Sequence, residues 1–191
     1  SEHGQGMGSA TLNAKFERSL KALADTRLTA GMPSRRQAAL DSGRELVTRV
    51  GNQSNLILDP DLDSYYTMSL ILLRYPTLLD VVAQITPRLH NGADGVAVEA
   101  AERTRLFVLE GELRAAGVAI RSDYSEAVAA STPRLAEQLA RPHDALVAAI
   151  DGSRAVVRRA AAGEHVERPQ VDAAEAAVLD ALDAAWSRGN A

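Results

Sequence analysis

The segment Asp61–Leu89, DLDSYYTMSLILLRYPTLLDVVAQITPRL, carries the pattern that decides the fold. Apolar residues recur in it at 3-4-3-4-3 spacing, namely Met68, Ile71, Tyr75, Leu78, Val82 and Ile85. This spacing is typical of a helix whose seam packs among other helices. A second apolar row lies beside the first and comprises Leu62, Tyr66, Leu70 and Leu73. Because little polar surface is left, we expect this helix to be central or to cover its other side with a partner chain.

Proline interrupts this helix at one position and marks its end at another. Pro76 has no backbone N–H, and its ring clashes with the carbonyl group four residues earlier, so the sequence predicts a kink there. The helix is predicted to end between Pro87 and Gly92.

Three more helical regions are separated by break signals. Glycine and proline interrupt the first region at Gly31-Met32-Pro33, and its apolar periodicity restarts at once. In the last region Pro142 predicts a kink and Gly163 predicts a C-terminal cap. If each interrupted rod counts as one pass, the passes are Ala10–Val50, Asp61–Leu89, Ala93–Ala130 and Thr132–Arg188.

These passes predict an all-α fold, an elongated up-down-up-down four-helix bundle with interrupted first and last rods. Such a course places both ends of the chain on the same side. Residues 1–8 are glycine-rich and are interpreted as a linker or a cloning remnant, and residues 9–191 as a single helical domain.

Composition excludes several classes of function. The formal net charge of the 191-residue chain is −4, and its basic residues are scattered among acids, so a nucleic-acid surface is not expected. The absence of cysteine rules out disulfides and thiolate chemistry. We find no apolar run near the roughly 20 residues that cross a bilayer. No nucleophile elbow, phosphate-binding loop or dinucleotide fingerprint is present, so neither an enzyme nor a cofactor is predicted.

Metal binding is also not predicted. None of the four histidines has a glutamate three residues before it, as di-iron bundles require. Asp59, Asp61 and Asp63 imitate the opening of a calcium loop, but Ser64 and Leu70 replace its glycine and glutamate, which favours helix capping. His143-Asp144 resembles the start of a phosphoacceptor helix, and a solvated surface histidine is the favoured alternative.

The candidate ligand-binding residues surround the turn before the central helix. One interpretation is that the rings of Tyr65 and Tyr66 pack inward and their hydroxyl groups satisfy polar groups of the turn. The other is that the turn shapes a cavity for an acidic ligand, with arginine as the donor. The residues selected for this second interpretation are Asn52, Asn55, Asp59, Asp63, Tyr65, Tyr66, Arg74 and Arg103.

Residues 54–68, SNLILDPDLDSYYTM, and residues 72–76, LLRYP, resemble a known pattern. It is the SNLxLDPDxDSYYLMD…LRLP pattern of helical extracytoplasmic sensor regions in bacterial transmembrane signal transducers, including sensor histidine kinases and methyl-accepting chemotaxis receptors. Thr67 and Ser69 stand where the pattern has Leu and Asp. The resemblance implies a periplasmic domain between two transmembrane helices of an inner-membrane receptor, with the turn at the membrane-distal end.

What the resemblance implies about function is sensing without catalysis. A small molecule or a periplasmic protein would be the signal, and the receptor would work as a homodimer whose helices shift lengthwise or rotate. The main alternative is a free-standing helical interaction module that docks a partner helix on the wide apolar face of Asp61–Leu89. A cofactor-binding four-helix enzyme is the third and weakest possibility.

Overall fold

A computed structural model gives the structure of the protein and describes residues 9–24, 32–53, 62–94 and 99–189. Within these ranges the chain is helical and contains no strand, which confirms the all-α prediction. The helices are α1 (Ala10–Ala24), α2 (Met32–Gln53), α3 (Leu62–Ser69), α4 (Tyr75–Ala93), α5 (Ala100–Ala130), α6 (Pro133–Ala161) and α7 (Arg168–Gly189).

Helices α3 and α4 form one continuous rod through a π-helical turn at Leu70–Arg74. The Tyr75 N–H donates to the Leu70 carbonyl oxygen, five residues back. Pro76 explains the wider turn, because an α-helical path would press its ring against the Leu72 carbonyl group. The irregularity predicted at Pro76 is therefore a π turn. Pro87 lies inside α4, which continues to Ala93.

The seam predicted for the central rod forms much of the protein core. Four of its members are buried, namely Tyr75, Leu78, Val82 and Ile85. They pack with buried residues of α5, α6 and α7 in one apolar cluster. The second apolar row is divided, since Leu70 is buried whereas Leu73 is 58% exposed. The wide apolar face is therefore only partly covered.

The first predicted rod is a helical hairpin and not an interrupted rod. Helices α1 and α2 pack side by side. A Cβ atom on Gly43 would lie 3.0 Å from Cε2 of Phe16, and Lys15 forms an ion pair with Glu45 at 2.5 Å. The physical reason is that α1 has an apolar row that a collinear α2 could not cover, whereas an antiparallel α2 covers part of it.

The last predicted rod is also folded back on itself. Helix α6 ends in a Schellman motif, in which Gly163 has a φ of +86°. Its N–H donates to the Ala160 carbonyl oxygen, and that of Glu164 donates to the Arg159 carbonyl oxygen, both at 3.0 Å. The C-terminal cap predicted at Gly163 is therefore confirmed. The chain then reverses, because the buried faces of α6 and α7 belong to one core, and Ala185 of α7 lies beside His143.

Contacts along neighbouring helices show that they are antiparallel. In each pair the lower residue numbers of one helix meet the higher numbers of the other. For α3–α4 with α5 the pairs are Arg74–Asp123 and Arg88–Glu102; for α5 with α6, Glu110–Arg154 and Arg121–Asp151; for α4 with α7, Tyr75–Trp186 and His90–Asp172; for α2 with the central rod, Gly51–Leu72 and Arg44–Asp80.

The helical array has two ends, the Tyr75 end and the His90 end. The Tyr75 end is where Tyr75 packs against Trp186, with ring centroids 6.1 Å apart. The His90 end is where His90 Nε2 lies 2.7 Å from Asp172 Oδ1. At about 1.5 Å per residue, the 15 residues from Tyr75 to His90 separate these landmarks by about 22 Å.

Candidate functional site

The structure divides the predicted ligand-binding residues into separate places. Asn55 and Asp59 lie outside the described residues. Asn52 belongs to α2 and Asp63 to α3, but their side chains are outside the described part of the chain. The other four selected residues are described and can be located, namely Tyr65, Tyr66, Arg74 and Arg103.

Tyr65 lines a small groove between α2 and the central rod. The groove has a volume of about 160 Å³, and its wall includes Gly51, Met68, Leu72 and Leu73. A Cβ atom on Gly51 would come within 2.6 Å of Leu72 Cδ1, so the close approach of the two helices depends on glycine at this position. The wall is mainly apolar, which suits an apolar side chain better than an acidic ligand.

The tyrosine pair is held by contact between its own rings. The centroids of Tyr65 and Tyr66 are 5.2 Å apart, and the ring planes make an angle of 81°. This edge-to-face geometry is a favourable aromatic contact. Tyr65 is 45% exposed, whereas Tyr66 is half-buried.

Arg74 is occupied by an acidic residue of the protein itself. Its Nε donates to Oδ2 of Asp123 at 2.7 Å, and Ser69 Oγ donates to the same oxygen at 2.7 Å. Asp123 is 7% exposed, so both donors compensate a carboxylate that has lost most of its water. The pair connects the two ends of the π turn to α5. Arg74 therefore has a structural partner where an acidic ligand was predicted.

Sequence reasoning missed Asp123, although the chain carries a signal for it. Asp123 continues the buried row of α5, in which Leu106, Leu109, Leu113, Ala116 and Ile120 precede it at helical spacing. An acid on an apolar row must be paired when the row is buried. The partner could not be named from sequence, because Arg74 lies 49 residues away.

Arg103 lies at the His90 end and not with the tyrosine pair. It lines a cavity of about 260 Å³ where the end of α4, the start of α5 and the α6–α7 turn meet. Arg88 and His165, which were not selected from sequence, line the same cavity. Tyr65 precedes Leu89, another lining residue, by 24 residues of helix, or about 36 Å. One ligand cannot contact both Tyr65 and Arg103.

Helices α2 and α3, which come before and after the motif turn in the chain, meet at the Tyr75 end. Gly51, near the end of α2, and Tyr65, near the start of α3, line the same groove. Helix α1 begins at this end too, because Leu12 shares a surface groove with Thr48, and Thr48 also lines the Tyr65 groove. The turn was expected at the end opposite to the chain termini. The turn itself lies outside the described residues. The helices on either side of it meet at the end where α1 begins and α7 ends, because α1 and α2 form a hairpin.

His143 is a core residue and not a solvated one. It is 6% exposed and stacks on Tyr124, with centroids 3.6 Å apart and planes 8° from parallel. Burial lowers its pKa; Asp144 raises that pKa and Arg121 lowers it further. Its Nδ1 has no hydrogen-bond partner within the described chain. The surface-histidine interpretation is wrong, and a buried ring is also poorly placed to accept a phosphoryl group.

The described residues contain no group of three or more histidine, cysteine or acidic side chains placed to hold a metal ion. One described helix, Tyr65–Ala93, is long and apolar enough by composition to cross a membrane, which corrects the prediction that the chain has no such run. The seam residues of this helix belong to the core, and the central helix of a bundle has the same apolar composition.

Comparisons with protein-family models, with curated proteins and with solved structures found no match to this chain.

Proposed function

We propose that this chain is the periplasmic sensor domain of a transmembrane receptor of the histidine kinase or chemoreceptor type, without catalytic activity of its own. In this proposal residues 62–189 make an up-down-up-down four-helix bundle, and the α1–α2 hairpin packs on its side. Helices α1 and α2 thus lie outside the bundle, whereas α6 and α7 are two of its four helices.

The observation that carries the proposal is the position of the two terminal helices. Helix α1 begins beside Thr48 and α7 ends beside Tyr75, so both reach the Tyr75 end. A domain held between two membrane-spanning helices needs its first and last helices at one end, because both must enter the same bilayer. This arrangement favours a receptor ectodomain over an unanchored module. The SNLILDPDLDSYY motif supports the proposal by its resemblance and not by its position, since the helices that flank it meet at this same end.

Signal transmission in such a domain requires two packings with different ligand affinity. Helix α7 is suited to transmit a change between the two packings along the domain. Its contacts with α4 reach from His90–Asp172 at one end to Tyr75–Trp186 at the other. A ligand that favoured one position of α7 at the His90 end would shift the segment at the Tyr75 end. In the receptor that segment would lead into the membrane.

A homodimer is part of the proposal, and α5 offers the surface for it. Eight exposed, uncharged residues follow each other on α5 at alternating spacings of four and three, namely Thr104, Val108, Gly111, Ala115, Val118, Ser122, Ser125 and Ala129. We call them the α5 stripe. This is the seam spacing of a two-stranded coiled coil.

Flanking charges favour a parallel pair of α5 helices. In a parallel pair, Arg121 lies opposite Glu126 of the second copy, and the symmetry repeats this attraction. In the antiparallel pair that aligns the whole stripe, Arg114 would lie opposite Arg121, which is repulsive. A parallel pair also keeps the Tyr75 ends of both subunits on one side, as a shared membrane requires.

Membrane topology tests the proposed function. Alkaline phosphatase fused after residue 189 of the intact gene product should be active, because the fusion point is outside the cytoplasm, and green fluorescent protein fused there should be dark. Cells carrying each fusion in a bacterial host give the two activities. The opposite pattern would place the domain in the cytoplasm and overturn the proposal.

A helical interaction module is the second candidate function, and the Tyr65 groove favours it. Leu73 is exposed at this groove, and Tyr65 and Met68 widen the apolar surface. An apolar residue of a partner helix would fit a space of about 160 Å³. A cytoplasmic result in the topology test would support this candidate.

A further inference from the structure

The cavity at the His90 end is built from three different parts of the chain. Its walls come from Arg88 and Leu89 of α4, from Arg103 and Leu106 of α5, and from residues 163–166 after α6. At about 260 Å³ it is smaller than the roughly 300 to 1,000 Å³ typical of sites for drug-sized ligands. The cavity therefore suits an ion or a very small organic molecule.

Acidic groups around this cavity are already neutralised by other residues. Glu102 accepts from Arg88 Nη1 at 2.7 Å, and Glu164 accepts from Arg159 Nε at 3.0 Å. Further out, Asp94 is paired with Arg168 at 2.9 Å. Glu167 Oε1 lies 3.4 Å from Nε2 of His165, which lines the cavity. None of these contacts uses Arg103.

Arg103 keeps its guanidinium group available. No ion pair of Arg103 occurs among the residues that the structure describes, not even with Glu99 one turn earlier. The backbone of Gly163 makes room for it, since a Cβ atom there would lie 3.2 Å from Arg103 Nη1. Glycine at this position thus both closes α6 and leaves space for the arginine head group.

Arg88 adds a second donor group to the same wall. Only its Nη1 is used by Glu102, and its buried Nε has no hydrogen-bond partner in the described ranges. Uncompensated buried donors are rare because each loses its hydrogen bonds to water.

We propose that this cavity binds a small oxyanion, a carboxylate or a phosphate, through the guanidinium groups of Arg103 and Arg88, with His165 on the third side. Arginine is suited to this role because its planar fork donates two parallel hydrogen bonds to two oxygens of one anion. The chain as a whole carries a net charge of −4, so its long-range field repels anions. Binding would therefore depend on this local group of donors.

Calorimetric titration of the whole chain tests the inference, with inorganic phosphate and succinate as separate probes at constant ionic strength. Saturable binding of at least one probe is expected, with one site per chain. Arg103→Ala should weaken it at least tenfold, in keeping with a hydrogen bond between charged groups. Arg103→Lys should recover part of the loss, because it restores the charge without the fork.

Arg114→Ala is the matched control, since Arg114 is also an exposed arginine of α5 but does not line the cavity. It should change the dissociation constant less than twofold. His165→Ala gives a second variant at an exposed position, with an expected loss of about threefold or more. The inference is overturned if neither probe saturates the unmodified chain, or if Arg114→Ala weakens binding as much as Arg103→Ala. The titration uses the isolated chain, so its outcome is independent of the topology test.

Discussion

Gly163 fixes both the end of α6 and the wall of the cavity. Its positive φ closes the Schellman motif, and its missing side chain admits Arg103. Most other residues cost about 1 to 2 kcal/mol in left-handed backbone geometry. The sequence identified this glycine as a cap, because it follows a helical row. Its contact with Arg103 was hidden, because the two residues are 60 positions apart in the chain.

Gly163→Ala is expected to lower the free energy of unfolding by about 1 to 2 kcal/mol, because alanine is strained at this φ. Gly152→Ala is the control. Gly152 lies inside α6, and none of the described atoms would lie within 4 Å of an added Cβ, apart from its own helix backbone. This change should stabilise the protein by about 0.5 to 1 kcal/mol. Urea unfolding measures both; equal signs would contradict the assignment of the cap.

His143 predicts how stability depends on pH. Burial lowers its folded-state pKa below the ordinary 6.5, so the unfolded chain binds more protons between these two values. Its contribution to stability is fully present above pH 6.5 and is lost as the pH falls toward the folded-state pKa.

Replacing His143 by phenylalanine should flatten the stability profile between about pH 7 and pH 5, since the new ring can stack on Tyr124 but cannot take a proton. Thermal unfolding across this range measures the slope. An unchanged slope in the phenylalanine variant would show that His143 does not set the acid sensitivity.

At the scale of elements, periodicity predicted which residues face the core but not how consecutive helices are arranged. Met68 to Ile85 identified the central seam, and the row from Leu106 to Ile120 identified α5. The break at residues 31–33 and the cap at Gly163 are equally compatible with a continued rod and a reversal. The decision depends on which apolar surfaces fit together, and that information is distributed over several helices.

The form of the π turn also depends on residues outside its own segment. Pro76 announced a distortion, but proline permits either a kink or a wider turn. The wider turn is found where Asp123 of α5 accepts from both Ser69 and Arg74. That partner belongs to another helix, so the form of the distortion could not be read from the local sequence.

The α5 stripe predicts self-association of the isolated chain. Val118 is 58% exposed at its centre, and a charge at a coiled-coil seam is strongly unfavourable. Sedimentation velocity should show a concentration-dependent dimer for the unmodified protein and only monomer for Val118→Glu. Leu179→Glu, on the exposed side of α7, should still dimerise. A monomeric unmodified chain at high concentration would remove the support for this surface.

For the whole molecule, the terminal helices should meet at one end. The chain has no cysteine, so pairs of spin labels can be attached to introduced cysteines without other changes. Thr11→Cys with Ser187→Cys should give a distance of about 20 Å, and Thr11→Cys with Glu164→Cys about 30 Å, from helix rise and interhelical spacing. Pulsed electron paramagnetic resonance measures both. The reverse order of distances would overturn the arrangement of the helices.

The π turn gives the central rod one surplus residue relative to a regular α-helix of the same span. If this surplus moved along the rod, the part between its old and new positions would turn by about 100° and advance by about 1.5 Å while keeping nearly all backbone hydrogen bonds. Ser69 and Arg74 flank the turn and donate to the same carboxylate of α5, so these two hydrogen bonds oppose the movement. Such a movement would occur in steps of whole residues. The π turn lies toward the Tyr75 end, where the first and last helices converge.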